Sequence, residues 1–87
     1  MFYKAVGEEG KSIDDPDFEM TLYEIIIEDK IVVLPQFYWG FWKGIKLTGK
    51  VSVEGGKQFF IEKGLGEEMF DEVFGVLVSE GVIVVEK

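Results

Sequence analysis

The sequence predicts an α+β fold of about six short, mostly antiparallel strands in the order β-β-β-β-β-α-β, with one amphipathic helix packed on a curved sheet or small, partly open barrel. Three observations carry this. Short runs of Ile, Val and aromatic residues recur along the chain, bounded by glycine, proline or charged turns. A single stretch, Leu65 to Glu80, repeats its apolar residues at helical spacing. And 87 residues allow one domain, 1–87, with one modest core.

Taken in order, Phe2 to Val6 reads as a first strand, and Gly7 to Asp17 as a polar loop with Gly10 and Pro16 as breakers. Phe18 to Glu28 reads as a long second strand. Phe18, Met20 and Leu22 alternate with Glu19 and Thr21, then alternation fails at Tyr23–Glu24, which predicts a bulge near Glu24. Asp29-Lys30 suits a tight turn, and Ile31 to Leu34 a third strand ended by Pro35. Ile45, Leu47, Val51 and Val53 alternate with Lys46, Thr48, Lys50 and Ser52, the pattern of a fourth strand with Gly49 on its inner face. Gly55-Gly56 has the form of a hairpin turn into a fifth strand over Lys57 to Glu62. In the helix, Leu65, Met69, Val73 and Leu77 lie four apart, with Phe70, Phe74 and Val78 beside them and Glu67, Glu68, Asp71, Glu72 and Ser79 opposite. Gly81 is placed just past its cap, and Val82 to Val85 reads as the last strand.

Three strands, Ile25–Ile27, Ile31–Leu34 and Val82–Val85, are apolar on both faces and so need cover on each side. A helix about 10 Å wide spans the outer members of three strands spaced at about 4.8 Å. The single helix is therefore expected over one face, with the remaining strands curling over the other.

Composition narrows the chemistry. Cys, His, Arg and Asn are absent. There is no disulfide framework, no zinc, haem or iron–sulfur ligand set of the usual kind, and no Cys–His or Ser–His catalysis. Carboxylates are plentiful, but no pair is marked by spacing as an acid/base couple. The expectation is a protein that is not an enzyme, with no cofactor and no metal. An excess of Glu and Lys over amides runs in the direction of hyperthermophile proteins, although missing Arg is not part of that pattern. The longest uncharged stretch, Ile31 to Trp42, is twelve residues, against about 20 needed to span a bilayer. No targeting segment is read at the start, so the expected location is the cytoplasm.

The most unusual segment is Phe37-Tyr38-Trp39-Gly40-Phe41-Trp42, with five aromatics in six residues. Each large ring buries about 150–250 Å², more than so small a domain readily absorbs, so some of them are expected at the surface. Lys30 to Val53 contains four lysines and no acid, in a chain of net charge −8. Phe37, Tyr38, Trp39, Phe41 and Trp42 with Lys43, Lys46 and Lys50 therefore form the candidate binding surface, the rings as desolvated anchors and the lysines as orienting charges. The expected partner is another protein or a second copy, giving a homodimer. The alternative is a single-stranded nucleic acid, with rings stacked on bases and lysines tracking phosphates, set against a repulsive net charge and the absence of Arg. No membrane partner is expected, because anionic lipid would repel most of the molecule.

Three other segments have ordinary readings. Asp14-Asp15-Pro16-Asp17 lacks the spacing of a calcium loop. The acidic helix face reads as a solvated surface. Gly64-Leu65-Gly66 is followed by Glu67 and Glu68, which repel phosphate.

Overall fold

The computed structural model describes residues 1–17 and 19–86 of the chain. Along it run β1 (Phe2–Ala5), β2 (Glu8–Asp15), β3 (Met20–Ile27), β4 (Lys30–Pro35), α1 (Gln36–Thr48), β5 (Val51–Ser52), α2 (Val53–Glu62), α3 (Gly66–Ser79) and β6 (Ile83–Val85). The class is α+β, and every strand pair is antiparallel. The strands form two separate three-stranded sheets, β5-β1-β6 and β2-β3-β4, and neither is closed into a barrel. The expected order fails because most of the fourth strand and all of the fifth are helical, in α1 and α2, with only Val51–Ser52 extended as β5, while the expected polar loop supplies β2; the six strands are then divided between two open sheets. Val82–Val85 and the two isoleucine-rich strands consequently belong to different sheets.

The predicted polar loop over Gly7 to Asp17 is largely the strand β2. Its side chains are almost all exposed, so its own residues give little reason for extension. The cause is β3, which offers a long row of backbone groups to pair with, a tertiary effect that overrides weak strand propensity. Phe18, where the long strand was expected to begin, lies outside the described residues. The register irregularity falls opposite Glu24, but the extra residue is on β2: Glu9 faces Ile25, Ser12 faces Tyr23, and Gly10 and Lys11 together oppose Glu24. The Lys11 N–H donates to Glu24 Oε1 at 3.1 Å. A Cβ on Gly10 would lie 2.7 Å from the Glu24 Cβ, so the bulge needs glycine there. β3 itself keeps its period of two, pairing with β4 without a break from Leu22–Pro35 to Ile27–Lys30. The hairpin turn is Glu28-Asp29, one residue earlier than expected, with Glu28 at φ 50°.

Tyr23, Ile25 and Ile27 on β3 and Val32 and Leu34 on β4 face inward, and α1 covers them. α1 begins where Pro35 ends β4. Proline fixes an extended N-cap (φ −60°, ψ 157°), and Gln36 opens the helix. Tyr38, Phe41, Trp42 and Ile45 then fall at i, i+3, i+4 and i+7 on the inward stripe. The alternation over Ile45 to Val53 thus marks a strand only at Val51–Ser52 (β5); before it, Leu47 is 75% exposed, and Gly49 (φ 100°) caps α1 by donating its N–H to the Ile45 carbonyl at 2.8 Å. Ser52 is the N-cap of α2, its Oγ accepting the Gly55 N–H at 2.9 Å. Gly55 and Gly56 are therefore first-turn helix residues, not a hairpin turn, and Lys57 to Glu62 is helical.

α2 and α3 each end in the same way. Gly64 (φ 77°) donates to the Ile61 carbonyl and Leu65 to that of Phe60. Gly81 (φ 78°) donates to Val78, and Val82 to Leu77. These are paired Schellman caps, and they account for the glycine at 64 as a helix stop. The core joins Ile25, Val32, Leu34, Trp42, Ile45, Phe60, Phe70, Val73, Leu77, Val82 and Ile83 into one cluster. Phe60 is its aromatic hub, meeting Phe41 at 5.0 Å and Phe70 at 5.5 Å edge to face. Among the described residues one ion pair forms, Lys43 to Glu9, so the Glu- and Lys-rich composition is not assembled into a network.

The glycines of the helices divide by environment, and stability measurements will separate them. A Cβ on Gly56 would lie 2.4 Å from Cε1 of the fully buried Phe70. Gly56→Ala is therefore expected to lose about 1–3 kcal/mol to overpacking in spite of its better helix propensity. A Cβ on Gly40 or Gly44 meets nothing within 4 Å, so Ala at either position is expected to gain up to about 1 kcal/mol. Urea unfolding of the three variants reads both signs.

Candidate functional site

The aromatic segment is the first half of α1, and the helical turn distributes its rings over different sides. Trp42 points straight into the core and is 0% exposed. Its indole N–H is shared between two carbonyls, Val6 at 3.0 Å and Val82 at 3.1 Å, so its one polar group is satisfied. Tyr38 and Phe41 are half-buried against the core cluster. Trp39 is half-buried too and lies flat on Tyr23 of β3, with ring centroids 4.3 Å apart and planes 16° apart. Phe37 is 43% exposed.

The lysines also go separate ways. Lys43 pairs with Glu9 on β2. Lys46 donates to the Gly7 carbonyl and lies over the Trp42 ring, 5.4 Å from its centroid. Lys50, beyond the helix, sits over Phe2 at 4.5 Å. Because residues 46, 48 and 50 span a helix and its exit rather than a strand, they share no outward face. Each candidate lysine is held by the chain's own groups.

The structure does bring part of the segment together with residues that the sequence did not point to. Phe37, Trp39, Gly40, Phe41 and Gly44 of α1 face Gly55, Gly56, Phe59 and Phe60 of α2 across an open groove of about 520 Å³. Thr48, Val51 and Leu65 complete its ends, and among the described residues no charged side chain lines it. Gly40 and Gly44, one helical turn apart, leave the α1 wall without side chains. Of the candidate residues, Phe37, Trp39 and Phe41 line this groove; Tyr38, Trp42 and the three lysines do not. The contribution of α2 was hidden because Gly55-Gly56 resembles a turn. The signal that could have found it is Ser52 three residues before Gly55, a helix start.

The acidic loop is bound up in closing the β2–β3 hairpin. Asp14 Oδ1 accepts the Thr21 hydroxyl at 3.0 Å, and Asp15 Oδ1 accepts the Asp17 N–H at 3.0 Å. Among the described residues, no group of three or more acidic side chains is placed to hold a metal ion, and no helix is long and apolar enough to cross a membrane. Comparison of the chain with protein-family models, with curated proteins and with solved structures finds no match.

The split between the two faces of α1 has a measurable consequence. Trp42→Phe removes a buried donor and strands the Val6 carbonyl, while Val82 keeps the Val6 N–H at 2.9 Å. A loss of about 2–4 kcal/mol is expected. Phe37→Leu, at the groove rim, is expected to change stability by less than about 1 kcal/mol. Chemical denaturation of both variants checks the assignment.

Proposed function

We propose that this chain is a non-catalytic binding module that engages a protein, either another chain or a second copy of itself, through the groove between α1 and α2. One observation carries the reading: an uncharged, aromatic-lined groove open to solvent, walled by two helical glycines whose missing side chains are required by nothing inside the fold. Glycine in a helix costs about 1 kcal/mol against alanine, and no positive φ or close contact at Gly40 or Gly44 offsets that within the monomer. The geometry lets another backbone or apolar side chain approach the α1 axis, with Phe37, Trp39, Phe59 and Leu65 as anchoring rims. The single-stranded nucleic-acid alternative draws less support, since Lys43 and Lys46 are held by Glu9 and Gly7, and Lys63 over the Phe59 ring of the groove is a single cation rather than a row.

The charge distribution suits a protein contact. Residues 36–65 hold five lysines and two acids, against an acidic remainder. The groove thus lies on the one part of the molecule where net repulsion does not oppose association.

Gly44→Leu tests the proposal, because its side chain enters the groove while the helix gains a better helix former. The wild-type chain is expected either to show a solution mass that doubles with concentration or to retain a discrete protein on immobilised chain. Gly44→Leu, still folded by circular dichroism, is expected to weaken that association at least tenfold. A wild-type chain that stays monomeric and whose retained proteins bind Gly44→Leu equally well would end this reading.

A further inference from the structure

Among the described residues, no element covers the outer face of the β2-β3-β4 sheet. Directly paired residues of an antiparallel sheet share a face. Ile13 faces Leu22, Ile26 faces Ile31, Glu24 faces Val33, and Asp15 faces Met20, all on the side away from buried Ile25. Ile13, Met20, Ile26, Ile31 and Val33 are between 40% and 58% exposed, whereas Ile25, Val32 and Leu34 on the inner side are at most 4% exposed. Five large apolar side chains on one sheet face form a contiguous patch of the kind that marks an interaction surface.

The charges on and around that patch have one sign. Glu8, Asp15 and Glu24 project on the same face by register. Residues 8–29 hold nine acids and a single lysine, Lys11. Two such faces apposed would bring the three acids of one copy near those of the other among apolar neighbours, which argues against a second copy as the occupant. An anionic bilayer or a nucleic acid is repelled for the same reason. What complements an apolar acidic face is an apolar basic one.

We infer that this face is a docking surface for a basic amphipathic helix of another protein, its apolar stripe laid over Ile26, Ile31 and Val33 and its Lys or Arg residues meeting Glu8, Asp15 and Glu24. The dimensions agree. A helix about 10 Å wide covers the outer members of three strands, and on the inner face α1 lies over β3 and β4. β3, at eight residues, is about 26 Å long and matches a helix of about 18 residues.

The test uses the full chain and two synthetic helical peptides of about 18 residues, one of Leu and Lys and one of Leu and Glu in the same amphipathic pattern. Titration is followed by the NMR methyl signals of the isoleucines and valines. The Lys peptide is expected to shift Ile26, Ile31 and Val33 and to bind at least tenfold more tightly than the Glu peptide. Ile31→Glu and Val33→Glu are each expected to weaken the Lys peptide at least tenfold, with the unfolding midpoint of the chain little changed. The double variant Glu8→Lys/Glu24→Lys is expected to reverse the preference to the Glu peptide. The proposal is overturned if the Lys peptide shifts instead the α3 methyls beside Glu67, Glu68, Asp71 and Glu72, or if it does not bind. It is also overturned if the free chain doubles in mass and Ile31→Glu abolishes that doubling while Gly44→Leu does not, since a second copy would then be the occupant. Loss of association in Gly44→Leu alone bears on the groove and leaves the sheet face standing.

Discussion

The two sheets meet at the short link Val6–Gly7, and the indole of Trp42 is what holds that link. Its N–H lies between the carbonyl of Val6, at the exit of β1, and that of Val82, at the entry to β6. The same helix sends Lys46 to the Gly7 carbonyl one residue further on. Three backbone acceptors from two distant parts of the chain thus take donors from α1, which places that helix over β3 and β4 and against β1 together. An unpaired buried carbonyl costs about 1–3 kcal/mol, so the arrangement tolerates little drift of α1 about its axis. The position of Trp42 in turn fixes where the rest of the aromatic segment can point.

With Trp42 inward, the helical rotation leaves Phe37, Gly40 and Gly44 on the flank that faces α2. The rings behind them form a continuous aromatic series: Phe37 edge to face on Phe60 at 6.0 Å, Phe60 edge to face on Phe70 at 5.5 Å, and then Phe70 stacked on Phe74 at 5.0 Å. Gly56 permits this series, because any side chain there would strike Phe70. Two kinds of glycine therefore border the groove. Gly56 is consumed by close packing underneath, whereas Gly40 and Gly44 stand against open space. The close approach that makes the core dense on one side of α2 is the reason a groove remains on the other.

Legibility in the sequence followed how local the cause was. The α3 helix and its Gly81 stop, the first strand and the β3–β4 pair were readable because periodicity, a cap or a proline in the residues themselves decides them. α1 was not, since two glycines and five aromatics are poor helix formers singly, and their 3.6-residue order competes with the alternation of Ile45, Leu47, Val51 and Val53. β2 was unreadable for the opposite reason: its residues carry no strand signal, and the partner supplies it. The aromatic segment was identifiable as unusual, but which ring is core and which is surface depends on a helical phase set by Trp42. The α2 wall of the groove was invisible until that helix was.

The need for cover on both faces of the isoleucine-rich strands, by contrast, was legible, and among the described residues it is unmet on the outer side. A sheet with Ile26, Ile31 and Val33 exposed would ordinarily invite aggregation. The chain opposes this with charge: nine of its seventeen acids lie between Glu8 and Asp29, in the β2–β3 hairpin and the turn that follows it. At physiological salt such repulsion reaches only about 8 Å, close to the separation of about 10 Å at which two sheets pack face to face. It therefore discriminates at contact range, rejecting an identical acidic face while leaving the apolar surface available to a cation-bearing one. In the proposed docking role, the concentration of acid in residues 8–29 and the exposed isoleucines would act together, keeping the surface open to one charge class and closed to its own.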